Sequence, residues 1–514
     1  MNVSYNPPES RNQSLTRKIG WSAIASAFGS FGRLMAHVAV ARMLGPDGVG
    51  QLAYILWLIE VVNVLCSFGL PNCLTRYVAE LNGRCEAIQA SVFARWLFLR
   101  YLILALVGSI VVGVLFGHSS QHTNQRPLLP VLMLYSIVRS LQVLNQADLA
   151  GKQRFDLLAR INVAATVSLI LGVVIGTRFF GVLGSVCGYT AGASLSAAYT
   201  VVMFRRPTAN HGVSVELRRR ATRFSYDTWL AMVVSVFIWS RMEVFFLERY
   251  WDNREVGMFT IGLTFASLIR QTIELFTGAF TAHFTQLMGA GDHETIRRQY
   301  VCTIKLMALV VFPLAFGGAA IMPVIIPLVF GRAFVPAVPC AMVMMLGSAM
   351  TVSAIGTNLM YAKERSRFIA LCGVVGAVLS VTAGFMVVSR FGAWGAVWSR
   401  VVVQGLMVGV GTWYIITSLH FGFPFRSLAR TFVASVLSGI LAFCVSWFLP
   451  DSVVTLLVAI SVALVVYAIC VRVFQVLGLD EVCQLARIMS VLPERVRWLL
   501  MLFCNASMRE RCQS

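Results

Sequence analysis

From Trp21 to Val473 the chain is a succession of apolar runs, each about 18 to 25 residues long, divided by short breaks that hold most of the Arg, Lys, Asp, Gly and Pro. Such a run matches the hydrocarbon thickness of a bilayer. In hydrocarbon, a single segment satisfies all of its own backbone N–H and C=O groups only as a helix. The fold class expected is therefore an all-α polytopic membrane protein. Composition agrees, since 58% of the 514 residues are apolar and 12% are charged, about half the charged fraction of an average soluble domain. No polar stretch is long enough for a separate soluble domain. The stretch Trp21 to Leu44 is too long for a signal-peptide core and no small-residue cleavage site follows it, so it reads as a retained first span.

Cutting at the charged and Gly/Pro breaks yields about fourteen spans. The expected organisation is a cytoplasmic segment at 1–16, a six-helix bundle with its linker at 17–223, a second six-helix bundle at 224–427, two further helices at 428–474 and a basic tail at 475–514. Most of the 42 basic residues fall at the amino terminus, after even-numbered spans or in the tail, which places both termini in the cytoplasm by the positive-inside rule. The net charge of +20 is thereby accounted for by topology, and nucleic acid is not an expected partner. The twelve cysteines form no CxxC pair and imply neither a disulfide framework nor a metal site. In the tail, Leu479, Val482, Leu485, Ile488, Met489 and Leu492 recur at helical spacing among arginines, the pattern of an amphipathic helix on the cytoplasmic leaflet.

The spans carry an internal duplication. Lys152-Gln-Arg154 recurs as Lys363-Glu-Arg365, and Arg178-Phe-Phe-Gly181-Val-Leu-Gly184 as Arg390-Phe-Gly392-Ala-Trp-Gly395; the lysines and both glycine pairs keep an offset of 211. Six spans separate the copies, an even number, so both halves cross in the same sense and are parallel repeats. Two parallel six-helix bundles around a central cavity are the architecture of alternating-access carriers.

Charge at bilayer depth is the strongest functional signal, because an arginine there costs at least ~2.5 to 3.5 kcal/mol. Arg33, Arg139, Arg241 and Arg270 all lie near the middle of their spans. Ser30, Arg33 and His37 follow three- and four-residue steps, as do Arg139 and Gln142, and Ser267, Arg270 and Glu274; Glu60, Asn63 and Ser67 form a further stripe in span 2. These polar faces are expected to line one net-positive cavity. Arg270 and Glu274, four apart, could satisfy each other as an ordinary intrahelical pair. Guanidinium groups in a low-dielectric cavity suit phosphate or pyrophosphate through bidentate hydrogen bonds, so the cargo expected is an anion. His37, Glu60, Glu243 and Glu274 are the groups that could bind a coupling proton or sodium ion.

No GxxxxGK[ST], no Gly-x-Ser-x-Gly and no long polar outer loop occurs, so neither an enzyme nor a cofactor is expected. Two other readings stay open: an ion-coupled multidrug extruder of the same architecture, and an integral-membrane glycosyltransferase or polymerase.

The run Ala41-Arg-Met-Leu-Gly-Pro-Asp-Gly-Val-Gly50, followed by Phe68-Gly-Leu-Pro-Asn-Cys-Leu-Thr-Arg-Tyr-Val-Ala-Glu80, resembles the opening of the polysaccharide transporter family, which includes the O-antigen flippases. Glu255-Val-Gly-Met-Phe259, Phe330-Gly-Arg-Ala-Phe334 and Gly392-Ala-Trp-Gly395 are similar to its later landmarks. The resemblance implies a bacterial inner-membrane carrier that flips polyprenyl-pyrophosphate-linked oligosaccharide for O-antigen, capsule or exopolysaccharide assembly. Membrane lipids, and the polymerase and chain-length machinery of that pathway, would be its partners. Where that family often has an acidic residue near the middle of span 7, this chain has Arg241-Met-Glu243.

Overall fold

The computed structural model describes residues 8–118, 127–205, 212–239, 241–289, 293–363, 365–450 and 452–476. The amphipathic helix expected in the carboxyl tail lies outside them. Among the described residues there are helices and turns only, and nine segments are long and apolar enough to cross a membrane. That count differs from the fourteen expected partly because three segments are of double length. Phe28–Ser67, Phe155–Val202 and Arg367–Thr417 run 40, 48 and 51 residues, about twice what a ~30 Å hydrocarbon layer needs at ~1.5 Å per residue.

Each double segment turns at a single glycine with a left-handed φ. These are Gly45 (φ 69°, ψ −169°) in α1 (Pro8–Ser67), Gly181 (φ 58°, ψ −133°) in α5 (Phe155–Arg205), and Gly392 (φ 57°, ψ −139°) in the stretch from α12 (Ser366–Ala383) to α13 (Ser389–Thr417). A residue with a Cβ is strained at those angles, so glycine makes the turn without a loop. Gly181 and Gly392 are the pair that the sequence repeat aligns, and their backbone angles agree within a few degrees.

The chain forms two compact units, 1–257 and 258–514. In the first, α1 packs on α5, and α5 on α4 (Leu128–Gly151), which also meets α2 (Leu70–Gly83) and α3 (Ala87–His118). The two arms of α5 fold back on each other so closely that a Cβ on Gly184 would lie 1.8 Å from the Gly176 carbonyl oxygen, and one on Gly188 2.3 Å from the Val173 nitrogen. Without a hydrophobic force between helices inside lipid, small residues at four-residue spacing let backbones approach and gain dispersion contact. The segment after span 2, which reads as a break, is a 14-residue helix, α2, with Cys73, Leu74, Tyr77, Val78 and Leu81 buried. Their three- and four-residue spacing sets one face of α2 against α3 and α4.

The helices α6 (Val215–Trp239) and α7 (Glu243–Tyr250) also belong to the first unit. Span 7, expected to be one helix over 224–249, is broken between them at Arg241, whose φ is 63°. In the second unit α9 (His293–Val329) contacts α10 (Val338–Gly347), α14 (Phe425–Phe448) and α15 (Val453–Val473). The Tyr467 hydroxyl donates to the Leu309 carbonyl at 2.7 Å, and Gly439 brings α14 against the Phe316 backbone. The two helices expected to stand outside the repeat are thus anchored on span 9. Of the remaining helices, α8 (Asn253–Gly289) runs across the boundary of the units and α11 (Ala354–Ala362) packs on α9 and α13.

Gly184→Val forces the arms of α5 apart and is expected to destabilise by about 1–3 kcal/mol, read as a lower unfolding midpoint in detergent. Gly409→Ala, where a Cβ meets nothing within 4 Å, should be neutral or slightly stabilising because the site is a helix interior.

Candidate functional site

The first unit gathers most of the predicted polar residues into one cluster. Arg139 of α4 donates from Nη2 to Glu60 Oε2 at 3.4 Å and from Nη1 to Gln142 Oε1 at 3.1 Å. Arg33 donates to Ser30 Oγ at 3.1 Å and lies within electrostatic reach of Arg139 and Tyr189. His37, one turn farther along α1, is within reach of both Arg33 and Arg241. Tyr189 in turn interacts with Tyr135, Arg33 and Arg241. Arg33, His37, Glu60, Arg139 and Arg241 therefore share one electrostatic neighbourhood, drawn from α1, α4 and the α6–α7 break. Three guanidinium groups are thus gathered in one part of the unit, one of them, Arg139, on the carboxylate of Glu60.

Asn63 stands one turn beyond Glu60 and holds α1 to α4. Its Oδ1 accepts from Ser136 Oγ at 3.0 Å and Ser140 Oγ at 3.2 Å, while its Nδ2 is buried without an acceptor among the described residues. Sequence spacing placed Asn63 in the polar stripe, but its role here is to hold the helices that carry Glu60 and Arg139. Glu243 is buried in the first turn of α7, where the partial positive charge of a helix start favours a carboxylate. Arg270 is exposed on α8 in the second unit; the side chain of Glu274 lies outside the described residues, so the pairing considered for them has no described geometry.

Two features were not legible beforehand. The first is the partner of Arg139, since Glu60 lies 79 residues away. The second is a set of tyrosines. Tyr135 and Tyr189 stand edge to face with ring centroids 6.2 Å apart, and Tyr101 lies near Ser140 and within electrostatic reach of Arg139. Tyr135 is four residues before Arg139 and so on the same helix face, a spacing that would have drawn attention to it.

The Arg139–Glu60 contact is long, and the two side chains are 26% and 51% exposed. A pair with that much access to solvent contributes about 0–1 kcal/mol. Arg139 is thus held in place yet released at little cost, as an anion-binding group needs to be.

The family model described as polysaccharide biosynthesis protein matches residues 39–339, more than half of the chain, and the chain belongs to that family. The succinoglycan biosynthesis transport protein ExoT of Rhizobium meliloti (strain 1021) is 22% identical over 349 residues, 65% of this chain and 66% of the relative, just under two thirds of its length. Among solved structures, the lipid II flippase MurJ in an inward closed conformation superposes with a TM-score of 0.71 at 14% identity, over 88% of this chain and 98% of that one. An inward-facing multidrug resistance MATE family transporter of the MOP superfamily follows at 0.61 and 14%, over 75% and 93%. The multi-span all-helical fold is shared with both, and it does not by itself distinguish a lipid cargo from a drug.

Glu60→Gln is expected to change the unfolding midpoint little, by the equivalent of about 1 kcal/mol or less. Asn63→Leu strips the hydroxyls of Ser136 and Ser140 of their shared acceptor and should cost about 1–3 kcal/mol. Thermal unfolding of the two purified variants side by side reads the difference.

Proposed function

We propose that the chain flips polyprenyl-pyrophosphate-linked oligosaccharide units across the bacterial inner membrane by alternating access, for O-antigen, capsule or exopolysaccharide assembly. The observation that carries this reading is the gathering of Arg33, His37, Arg139 and Arg241 in one neighbourhood, with Arg139 held by Gln142 and by a long contact to the half-exposed Glu60. Guanidinium donors at low dielectric suit a pyrophosphate, and its charge outweighs the weak pull of Glu60 on Arg139. The lipid tail remains in the bilayer while the sugar crosses in the polar interior. Membership of a polysaccharide biosynthesis family and likeness to a transport protein of succinoglycan biosynthesis support a transporter. A proton or sodium ion bound at His37, Glu60, Glu243 or Glu274 is the proposed coupling species, and the polymerase and chain-length machinery are the proposed partners.

In liposomes containing a fluorescent polyprenyl-pyrophosphoryl oligosaccharide, leaflet exchange measured with an impermeant quencher should occur with the wild type. Loss of one charge-assisted contact of about 1.5–3 kcal/mol should slow it roughly 10- to 100-fold in Arg139→Ala and Arg33→Ala. Wild-type transport of a cationic dye against an ion gradient, with no lipid exchange, would replace this reading by the extruder.

The topology proposed, with both termini cytoplasmic, puts the turn between α2 and α3 on the cytoplasmic side. Cys85 is exposed in that turn, whereas Cys73 is buried and desolvation pushes its thiol up to about 12 against the opposing pull of Arg76. A membrane-impermeant maleimide should therefore label Cys85 in inverted vesicles and not in intact spheroplasts, with Cys73 silent in both; Cys85→Ala identifies the label. Labelling of Cys85 in intact spheroplasts would invert the topology.

A further inference from the structure

Away from the arginine–tyrosine cluster, a second set of arginines lies where α2, α3 and the start of α6 meet, and it is bound to rings instead of carboxylates. The Arg100 guanidinium lies 4.0 Å from the centroid of Trp96, and Arg218 lies 5.9 Å from the same ring. Arg76 sits 4.3 Å from Phe224 and 5.7 Å from Tyr77. The nearby carboxylate of Glu80 is taken by Arg84 at 2.6 Å and Arg220 at 3.4 Å. Among the described residues, Arg76, Arg100 and Arg218 have no ion pair. A ring attracts a guanidinium without accepting a conventional hydrogen bond from it, so among the described residues these groups are held in position without an ion pair.

Depth fixes what such a site would meet. From Tyr101 to Gly117 α3 carries no charged residue, about 25 Å of helix at ~1.5 Å per residue, close to the thickness of the hydrocarbon layer. Arg100 is therefore the last charge before hydrocarbon, at the level of the phosphates, with Trp96 one turn outward as an interfacial ring. Leu99 and Ile103 beside it are 54% and 61% exposed and face lipid. Arg100 and Trp96 also line a cavity of about 140 Å³ whose other walls include Phe68, Leu70, Leu97 and Tyr226.

We propose that this junction is a binding site for an anionic phospholipid of the leaflet on the α2–α3 side, with the headgroup phosphate on Arg100 and Arg218 beside Trp96 and part of an acyl chain in the apolar cavity. Charge complementarity selects an anionic over a zwitterionic headgroup, because no carboxylate in the set is left to pair with a choline. The site is separate from the residues proposed for cargo, so it stands whether or not the chain is a flippase.

The full chain is reconstituted in vesicles of phosphatidylcholine carrying a fraction of bromine-labelled acyl chains, either on phosphatidylglycerol or on phosphatidylcholine. The Trp96 contribution is obtained by difference from Trp96→Phe. Trp96 should be quenched severalfold more by brominated phosphatidylglycerol than by the brominated choline lipid, and the preference should fall to near unity in Arg100→Gln/Arg218→Gln. Equal quenching by both lipids in the wild type overturns the proposal without any variant. A preference that persists in the correctly folded double variant overturns the assignment to these arginines. Inorganic phosphate added to vesicles of phosphatidylcholine alone should leave Trp96 emission unchanged; a saturable response to phosphate would make the site one for a free anion and overturn the lipid.

Discussion

Charge at bilayer depth is costly, and that cost organises this protein. The same hydrocarbon that makes every long segment helical makes each guanidinium at span depth seek a partner within reach of its own side chain. Arg33 reaches a serine one turn away, and Arg139 a glutamine on its own helix and a glutamate on another. Helix packing in the first unit holds these arginines within electrostatic reach of one another despite their mutual repulsion.

Glycine is what makes that packing close enough. In α5 the arms turn at Gly181 and touch backbone to backbone along Gly172, Gly176, Gly184 and Gly188, which sets the position of Tyr189 on the second arm. Tyr189 meets Tyr135 of α4, and through it the same neighbourhood as Arg139. Asn63, with two serine hydroxyls on one oxygen, performs the matching task between α1 and α4. Arg241 completes the set from a left-handed turn where span 7 breaks, a conformation that costs a non-glycine residue on the order of 1–3 kcal/mol and persists only where surrounding structure holds it.

Charge is used differently at the two depths. Among the tyrosines the arginines are deep in the spans, where the proposed cargo anion must arrive and leave. At the junction of α2, α3 and α6 they lie over aromatic rings at headgroup depth, which suits an anion that stays. One residue type serves both because a guanidinium stacks through its face and donates through its edge.

The membrane class, the long apolar runs and the repeated motifs were legible in the residues alone, because hydrophobic length is a local property fixed by the solvent that a segment must enter. Gly181 and Gly392 already stood out as a repeated pair, and their matching backbone angles follow from that. Only the tertiary structure decided that Glu60 meets Arg139, that Tyr135 and Tyr189 join the cluster, and that span 7 breaks at Arg241. It also turned an apparent connecting segment into α2. Each of these depends on which helix faces are brought together, and a helix of apolar residues looks equally plausible on every face until its neighbours are in place.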